Sequence, residues 1–277
     1  FTSVNIKNPG EILSSLNNIQ EKTILIVGEQ GIGDNIQFLR YLNKLKKKCK
    51  KIFFCTDKIM KPFFKKVNIA DKVFDTNDKI DFYDFYIRLM SLPYLFNTDH
   101  TNIPDIHLKI KADVDKLDQW SELLKPYKDF YKVGINTTAN SNIPGREIPL
   151  DIFTKVCKYK KIKLFSLQKN INKQEFIYKK INIFDFENFD KYELFQDSKA
   201  LIENLDLVIT CDTSIAHLAA SMNKNTWIIL NDVPDWRWLM NTSESLWYKK
   251  VTLIRCNKKD DWTDPKKKIE NLLSKYQ

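Results

Sequence analysis

The chain has 277 residues, of which 43% are hydrophobic and 29% are charged, and its formal net charge is +10. This composition is sufficient for one large or two ordinary domains and argues against disorder, while no apolar run reaches the roughly 18 residues of a membrane span. The five cysteines are widely spaced without a CxxC pair, which disfavours a disulfide framework and a zinc site and favours a reducing cytoplasm.

The first half of the sequence predicts strands that alternate with helices. Thr23–Val27 is a short β-branched apolar run, typical of a strand buried on both faces of a parallel sheet. Three of the six glycines follow it within six residues, and leucines and isoleucines then recur at helical spacing up to Leu45. The other strands predicted here are 51–56, 72–75, 85–93 with a terminal loop, and 107–110. Helices are predicted with Pro62 near the start of one of them, and over 113–124.

This strand, glycine turn and helix form a unit that brings backbone amides and a helix N-terminus towards a phosphate or another anion. Gly31 and Gly33 are expected where the backbone geometry demands glycine. Asp34 is expected at the helix N-cap, where its role would be structural. If it faces a sugar hydroxyl instead, it could take that proton as a general base. A tight turn without a ligand has the same local pattern.

The alternation restarts near residue 128, so we predict an α/β protein with two Rossmann-like domains, 1–128 and 129–277. Their parallel sheets are expected to face a central cleft, because ligands of such folds lie at the carboxyl ends of strands. The last helix can pack back on the N-terminal domain. The elements predicted in this half are strands 132–138, 161–168, 205–211, 225–230 and 251–256, and helices 214–222 and 265–276.

The second half contains its own candidate anion site. Asp212, Thr213 and Ser214 follow a buried strand and begin a helix. Either Asp212 or Thr213 could cap that helix, which leaves backbone amides for a diphosphate. His217 lies one turn later and could reach a phosphate or a sugar, although a structural histidine is commoner at such a position.

Four other residues of this half are candidates. Arg146, in a polar loop before an apolar segment, could clamp a phosphate bidentately, and Lys169 is a weaker candidate of the same kind. Trp236 and Arg237, which follow a strand end, could form a wall for an acceptor or a sugar. Each of these side chains could equally be solvated or belong to the core.

Several segments resemble, in order, the bacterial heptosyltransferase-like glycosyltransferases of family 9, and most closely the catalytic part of tetratricopeptide-repeat proteins. The resemblance covers roughly residues 23–262. The matching strings are EQGIGDNIQFLRYL, LMSLP, REIPL, LFSLQK, DSKALIENLDLVITCDTSIAHLAA, VPDWRWLM and SLWY. AHLAAS, SLWYKK and INTTAN depart from the family pattern, which bears on the identity of the donor and on activity.

The resemblance implies a GT-B fold and an inverting, metal-independent glycosyltransferase that needs no cofactor. The N-terminal domain would face the acceptor and the C-terminal domain would hold a nucleotide-diphosphate sugar. By residue, Asp34 matches the proposed base, and Arg146 falls where the family has a basic residue near the donor phosphates. The remaining matches are to the donor-side motif (Asp212, Thr213, Ser214, His217). Independently of the resemblance, we expect Gly31, Gly33 and Lys169 to contribute to donor binding, and Gln30 to an acceptor or sugar wall with Trp236 and Arg237.

Two alternatives remain open from the sequence. A catalytically silent module would bind a nucleotide sugar without transferring it. An NAD-dependent oxidoreductase could use Gly28, Gly31 and Gly33 as a variant dinucleotide turn, with Asp57 at about the ribose-binding spacing and a YxxxK string at Tyr159.

The expected acceptor is a saccharide, a lipid-linked saccharide or a protein. The positive charge suits peripheral contact with the inner face of a membrane, or merely solvated lysines. No basic run has the aromatic pattern of a nucleic-acid motif, so a nucleic-acid partner is not expected.

Overall fold

The computed structural model describes residues 10–105, 108, 110–139, 146–169 and 171–277. The chain divides into two compact units, Phe1–Ile110 and Lys111–Gln277, and each unit is built on one parallel sheet. The described elements of the first unit are strands β1 (Glu11–Ile12), β2 (Thr23–Val27), β3 (Lys51–Thr56), β4 (Lys72–Asp75) and β5 (Phe85–Arg88), and helices α1 (Ile32–Phe38), α2 (Arg40–Lys46), α3 (Lys61–Val67) and α4 (Leu92–Leu95).

The strand order of the first sheet is β1-β5-β2-β3-β4, and its described neighbouring strands all pair in parallel. The chain therefore runs outward from β2 through β3 to β4 and then returns to the other side of β2. The apolar runs of β2 and β3 are buried almost completely, and Ile36, Leu39, Leu42 and Leu45 of the following helices are each 0% exposed. Burial of this apolar surface is the main force that holds the helices on the sheet.

Gly28, directly after β2, is required by close packing. An added Cβ would lie 2.5 Å from Oδ1 of Asn35, and Asn35 is itself held, because its Nδ2 donates to the carbonyls of Glu29 (2.9 Å) and Gly31 (2.8 Å). The turn after β2 is thus fitted around the Asn35 side chain of α1.

Gly28→Ala is therefore expected to lower the free energy of unfolding by about 1–3 kcal/mol, the usual range for overpacking. Chemical unfolding measures this change. In an Asn35→Ala background the same glycine substitution should cost less, since the clashing oxygen is gone. An equal cost in both backgrounds would contradict the steric explanation.

The second unit has a six-stranded sheet of order β11-β10-β9-β6-β7-β8, again parallel. Its strands are β6 (Tyr131–Asn136), β7 (Ile162–Ser166), β8 (Ile183–Phe184), β9 (Leu207–Cys211), β10 (Thr226–Leu230) and β11 (Val251–Arg255). Its described helices are α5 (Val114–Leu124), α6 (Lys173–Tyr178), α7 (Gln196–Asn204), α8 (Ser214–Ser221) and α9 (Thr263–Leu273), with short 3-10 segments that include Leu150–Phe153 and Trp236–Trp238.

Helix α5 belongs to the second unit. The indole of Trp120 donates to Asp197 Oδ1 at 3.1 Å, and Lys116 Nζ lies 2.9 Å from the same carboxylate on α7. The sequence-based boundary near residue 128 places this helix in the N-terminal half, whereas the compact units divide at residue 110. The closing helix α9 buries Ile269 and Leu273 in the core of the second unit.

Most predicted elements are confirmed within two or three residues at their ends, including all of 23–27, 51–56 and 72–75. The predicted strand at 107–110 falls partly outside the described residues. Val114, in the first turn of α5, is 72% exposed, whereas Trp120 and Leu124 of the same helix are buried. The sequence did not predict α6 or α7, nor the two-residue strands β1 and β8.

Candidate active site

In the first unit, the carboxyl ends of β2 and β5 lie side by side where the strand order reverses, which is where ligands bind in open α/β sheets. The loops that leave these two strands are joined by Glu29. Its Oε1 accepts the backbone N–H of Met90 at 3.0 Å, and its Oε2 lies 3.8 Å from Arg88 Nη1. These contacts fix the loop in front of α1.

Asp34 is not the N-cap of α1, so that prediction is wrong. Gly31 occupies the N-cap with an extended backbone, and Asp34 is the third helical residue. Its Oδ2 accepts the backbone N–H of Gly31 at 2.9 Å, which is the role of an acidic residue in a capping box. The left-handed residue of this turn is also not a glycine but Gln30, with φ of 59°; Gly33 lies buried inside α1. Half-buried Asp34 remains beside the turn.

In the second unit the strand order reverses between β6 and β9, and the loops after these strands carry the donor-side candidates. Thr213 is the N-cap of α8 and Ser214 its first residue, and the Thr213 side chain makes no capping hydrogen bond. The Thr213 hydroxyl instead accepts from Asn136 Nδ2 at 3.1 Å. Asn136 thereby links the ends of β6 and β9, next to the positive end of the α8 dipole.

Arg146 lies beside this helix terminus, between two carboxylates. Its Nη1 donates to the Asp212 carbonyl at 3.3 Å, its Nε is 3.7 Å from Asp212 Oδ2, and its Nη2 is 3.6 Å from Asp235 Oδ2. Asp235 also lies 3.3 Å from Arg237 Nε and accepts the Arg237 backbone N–H. We call these four residues (Arg146, Asp212, Asp235, Arg237) the arginine–aspartate cluster.

Asp212 is the most buried carboxylate of the cluster, at 5% exposure. Burial raises the pKa of Asp212 above its ordinary range, and the Arg146 guanidinium and the Trp238 indole oppose that rise. An ionised carboxylate is unfavourable in such buried surroundings. The neighbouring Arg146 guanidinium therefore stabilises the ionised form of Asp212.

The contribution of Asp212 to stability should therefore depend on pH once Arg146 is removed. A folded-state pKa above the unfolded value of about 3.9 means that the ionised carboxylate disfavours the folded state at neutral pH, and that this cost disappears as the pH falls through the folded value. Arg146→Met is expected to lower the free energy of unfolding at pH 7 by on the order of 2 kcal/mol. Urea titrations down to about pH 4 should show the deficit shrinking; a constant deficit would contradict the dependence.

His217 is buried at 2% exposure. Its Nδ1 is 2.9 Å from Tyr248 Oη, and its ring stacks on Trp238 with centroids 5.4 Å apart. Trp236 is 59% exposed, and Arg237 Cζ lies 5.5 Å from its ring centroid. Lys169 is exposed at the end of the segment that follows β7. The structure thus brings Arg146, Arg237 and the start of α8 together.

Sequence reasoning missed Asp235 and Asn136. Asp235 lies between Arg146 and Arg237 and contacts both. Asn136, the last residue of β6, donates a hydrogen bond to the Thr213 hydroxyl. The available signal for both was their place at the carboxyl end of a buried strand or just beyond one. The YxxxK string does not form a helical pair, because Tyr159 follows a 3-10 segment and Lys163 lies in β7.

The described residues contain no group of three or more His, Cys, Asp or Glu side chains that could hold a metal ion. Among the same residues, no helix is both long enough and apolar enough to cross a bilayer.

Comparison with known proteins identifies the fold. No protein-family model and no curated protein sequence matches the chain. Among solved structures, it is similar to a family 9 glycosyl transferase from Veillonella parvula (TM-score 0.64, 12% identity, covering 94% of this chain and 91% of that one). It is also similar to the ADP-heptose lipopolysaccharide heptosyltransferase II of E. coli (0.62, 10%, 92% and 99%). A third similar structure is the iron-containing dodecameric glycosyltransferase TibC of enterotoxigenic E. coli (0.57, 10%, 93% and 77%).

At these identities the similarity establishes the fold alone. The chain has the two-sheet α/β fold of the GT-B heptosyltransferases, as the sequence resemblance predicts.

Proposed function

We propose that the chain is an inverting, metal-independent glycosyltransferase that moves a sugar from a nucleotide-diphosphate donor to a hydroxyl of a saccharide, a lipid-linked saccharide or a protein. The observation that carries the proposal is the arginine–aspartate cluster beside the start of α8, where the Thr213 side chain makes no capping hydrogen bond. A guanidinium and a helix N-terminus that meet at one point are suited to a diphosphate. The E. coli heptosyltransferase II, which has a similar fold, is an ADP-heptose lipopolysaccharide heptosyltransferase.

In the proposed reaction Asp34 takes the proton of the acceptor hydroxyl, whose oxygen attacks the anomeric carbon of the donor. The bond between that carbon and the diphosphate oxygen breaks, and its electron pair leaves with the nucleoside diphosphate. Backbone amides at Ser214 and the guanidinium of Arg146 stabilise the charge of the leaving group. Attack from the face opposite the leaving group inverts the anomeric configuration.

A thermal-shift panel of nucleoside diphosphates and their sugars is the first test. A ligand at 100 times its dissociation constant stabilises the folded protein by about 2.7 kcal/mol. We expect at least one nucleoside diphosphate to stabilise the protein and its sugar to be consumed in an acceptor screen. Absence of any stabilisation would overturn the proposal, and a fluorescence change of NAD(P)H would favour the oxidoreductase.

Metal independence requires a separate experiment, because TibC, which has a similar fold, is an iron-containing glycosyltransferase. Turnover should be equal after EDTA treatment and after addition of iron(II) or magnesium. Loss of turnover with EDTA, restored by one of these ions, would contradict this part of the proposal.

One observation favours a second candidate, the catalytically silent nucleotide-sugar-binding module. The carboxylate of Asp34 is engaged by the backbone N–H of Gly31, which is a sufficient structural reason for an acidic residue at this position. Such a module would be stabilised by a nucleoside diphosphate but would transfer no sugar to any acceptor or to water.

A further inference from the structure

Helix α1 contains a fully buried glutamine. Gln37, in the last turn of this helix, is 0% exposed. Neither Nε2 nor Oε1 of its carboxamide has a hydrogen-bond partner among the residues that the structure describes. Asn35 of the same helix is equally buried, but its Nδ2 donates to the carbonyls of Glu29 and Gly31. The two side-chain amides of α1 therefore differ in whether their donor groups are used.

The unpartnered carboxamide of Gln37 destabilises the folded state, because it has lost its hydrogen bonds to water and has gained none in the protein. A methionine, which is also long and unbranched, could fill the same space without that penalty. Packing alone therefore gives no reason for a glutamine at position 37. Where a buried residue departs from such a rule, a functional role is the first explanation to test.

Gln37 is close to Asp34. It lies three residues after Asp34 in the same helix, and side chains at this spacing share one helix face. Helical side chains also lean towards the N-terminus of their helix, so the Gln37 side chain extends back over the turn that contains Asp34. Asp34 is half-buried whereas Gln37 has no exposed surface. The carboxamide thus lies on the protein side of the carboxylate.

The carboxylate of Asp34 can accept a further hydrogen bond. Its Oδ2 already accepts the backbone N–H of Gly31 at 2.9 Å, and the two oxygens of an ionised carboxylate together offer about four acceptor sites. A side-chain amide is a suitable donor, because it is uncharged and keeps its protons at every pH at which the carboxylate titrates. Catalytic hydrogen bonds are often long in the free enzyme and shorten when substrate binds.

We infer that Gln37 is a positioning residue for Asp34. When the acceptor is bound, Nε2 of Gln37 donates to the Asp34 carboxylate and orients it towards the acceptor hydroxyl. This role rests on the proposed function, in which Asp34 takes the acceptor proton. It explains why an amide is kept at a site where an apolar side chain would give a more stable protein.

Unfolding by urea tests the first step of the inference. Gln37→Met is expected to leave the midpoint of unfolding unchanged or to raise it, because it removes an unpartnered amide and keeps a side chain of similar length. Asn35→Leu is the matched comparison and should lower the midpoint, since it removes a donor that makes two hydrogen bonds. A lower midpoint for Gln37→Met would show that its carboxamide stabilises the fold, and would overturn the inference.

NMR on the full chain tests whether the two side chains interact, and it does not require turnover. The Gln37 side-chain amide signal, identified by its loss in Gln37→Met, should shift between about pH 7 and pH 4 as the Asp34 carboxylate takes up a proton. This shift should be absent in Asp34→Asn. The amide of Gln20, which is exposed, is the control and should respond alike in both proteins. A Gln37 response that persists unchanged in Asp34→Asn would overturn the inference.

Turnover gives the kinetic readout. With a donor and an acceptor that the parent uses, Gln37→Met is expected to lower kcat by roughly 10- to 100-fold, because the base is less well oriented, and to leave the KM for the donor unchanged. A parental kcat in Gln37→Met would overturn the positioning role. If the parent itself transfers no sugar, the proposed function fails and this role with it, while the NMR response still shows whether the two side chains interact.

Discussion

Asp34→Asn is expected to lower kcat by roughly 10²- to 10⁴-fold, the usual contribution of a general base, while affinity for the nucleotide-sugar donor stays the same. The reason is that an asparagine cannot take the acceptor proton, yet its side-chain oxygen can still accept the Gly31 N–H that Asp34 accepts at 2.9 Å. The fold of the turn is therefore retained. Steady-state kinetics with a donor found in the thermal-shift panel, together with donor titration, measure the two effects separately.

Asp57→Asn is a matched control for this experiment. Asp57 is another half-buried aspartate of the first unit, and it follows β3 at the same edge of the sheet. Its substitution should leave kcat unchanged. If Asp34→Asn turns over donor at the parental rate, Asp34 is not the base. A loss of donor affinity in Asp34→Asn would instead indicate a role in binding.

Arg146→Lys is expected to weaken binding of the nucleoside diphosphate by roughly 10- to 100-fold, the equivalent of about 1.5–3 kcal/mol. Lysine keeps the positive charge, so the electrostatic partner of buried Asp212 remains, but an ammonium cannot reproduce the planar, bidentate contact of a guanidinium. Calorimetric titration with the diphosphate found in the thermal-shift panel measures the change.

The control for this substitution is Lys160→Ala, which removes a positive charge from an exposed position after the 3-10 segment Val156–Lys158. It shows how much a change at an exposed cation outside the cluster affects binding, and we expect it to bind the diphosphate as the parent does. Binding by Arg146→Lys that equals the parent's would contradict a bidentate contact between Arg146 and the diphosphate.

The fold could be predicted in large part because the strands are continuous apolar runs. β2, β3 and β9 are buried along nearly their whole length, and such runs are recognisable without knowledge of the partner strands. Helix α7 was missed for the opposite reason. Its apolar residues Ala200, Leu201 and Ile202 are consecutive, so the segment shows no helical periodicity.

Site residues could be predicted from the sequence only where their interaction partners lie a few positions away in the chain. Ser214 was found because a helix start can be located from local sequence, and Gly31 could have been assigned as an N-cap from the acidic residue three positions later. The role of Asp235 was not accessible in this way. It depends on the connection between β10 and β11 folding back to a loop almost ninety positions earlier, where Arg146 lies.

The link that Glu29 makes between two loops has a mechanical consequence. Because its carboxylate holds the Met90 amide at 3.0 Å while its own backbone carbonyl holds Asn35 of α1, the segments after β2 and β5 are braced to move as one body. A ligand bound at the turn of residues 30–34 would lower the rate at which the Met90 amide proton exchanges with solvent. The hydrogen-exchange rate of the Met90 amide therefore reports whether a ligand is bound next to Asp34.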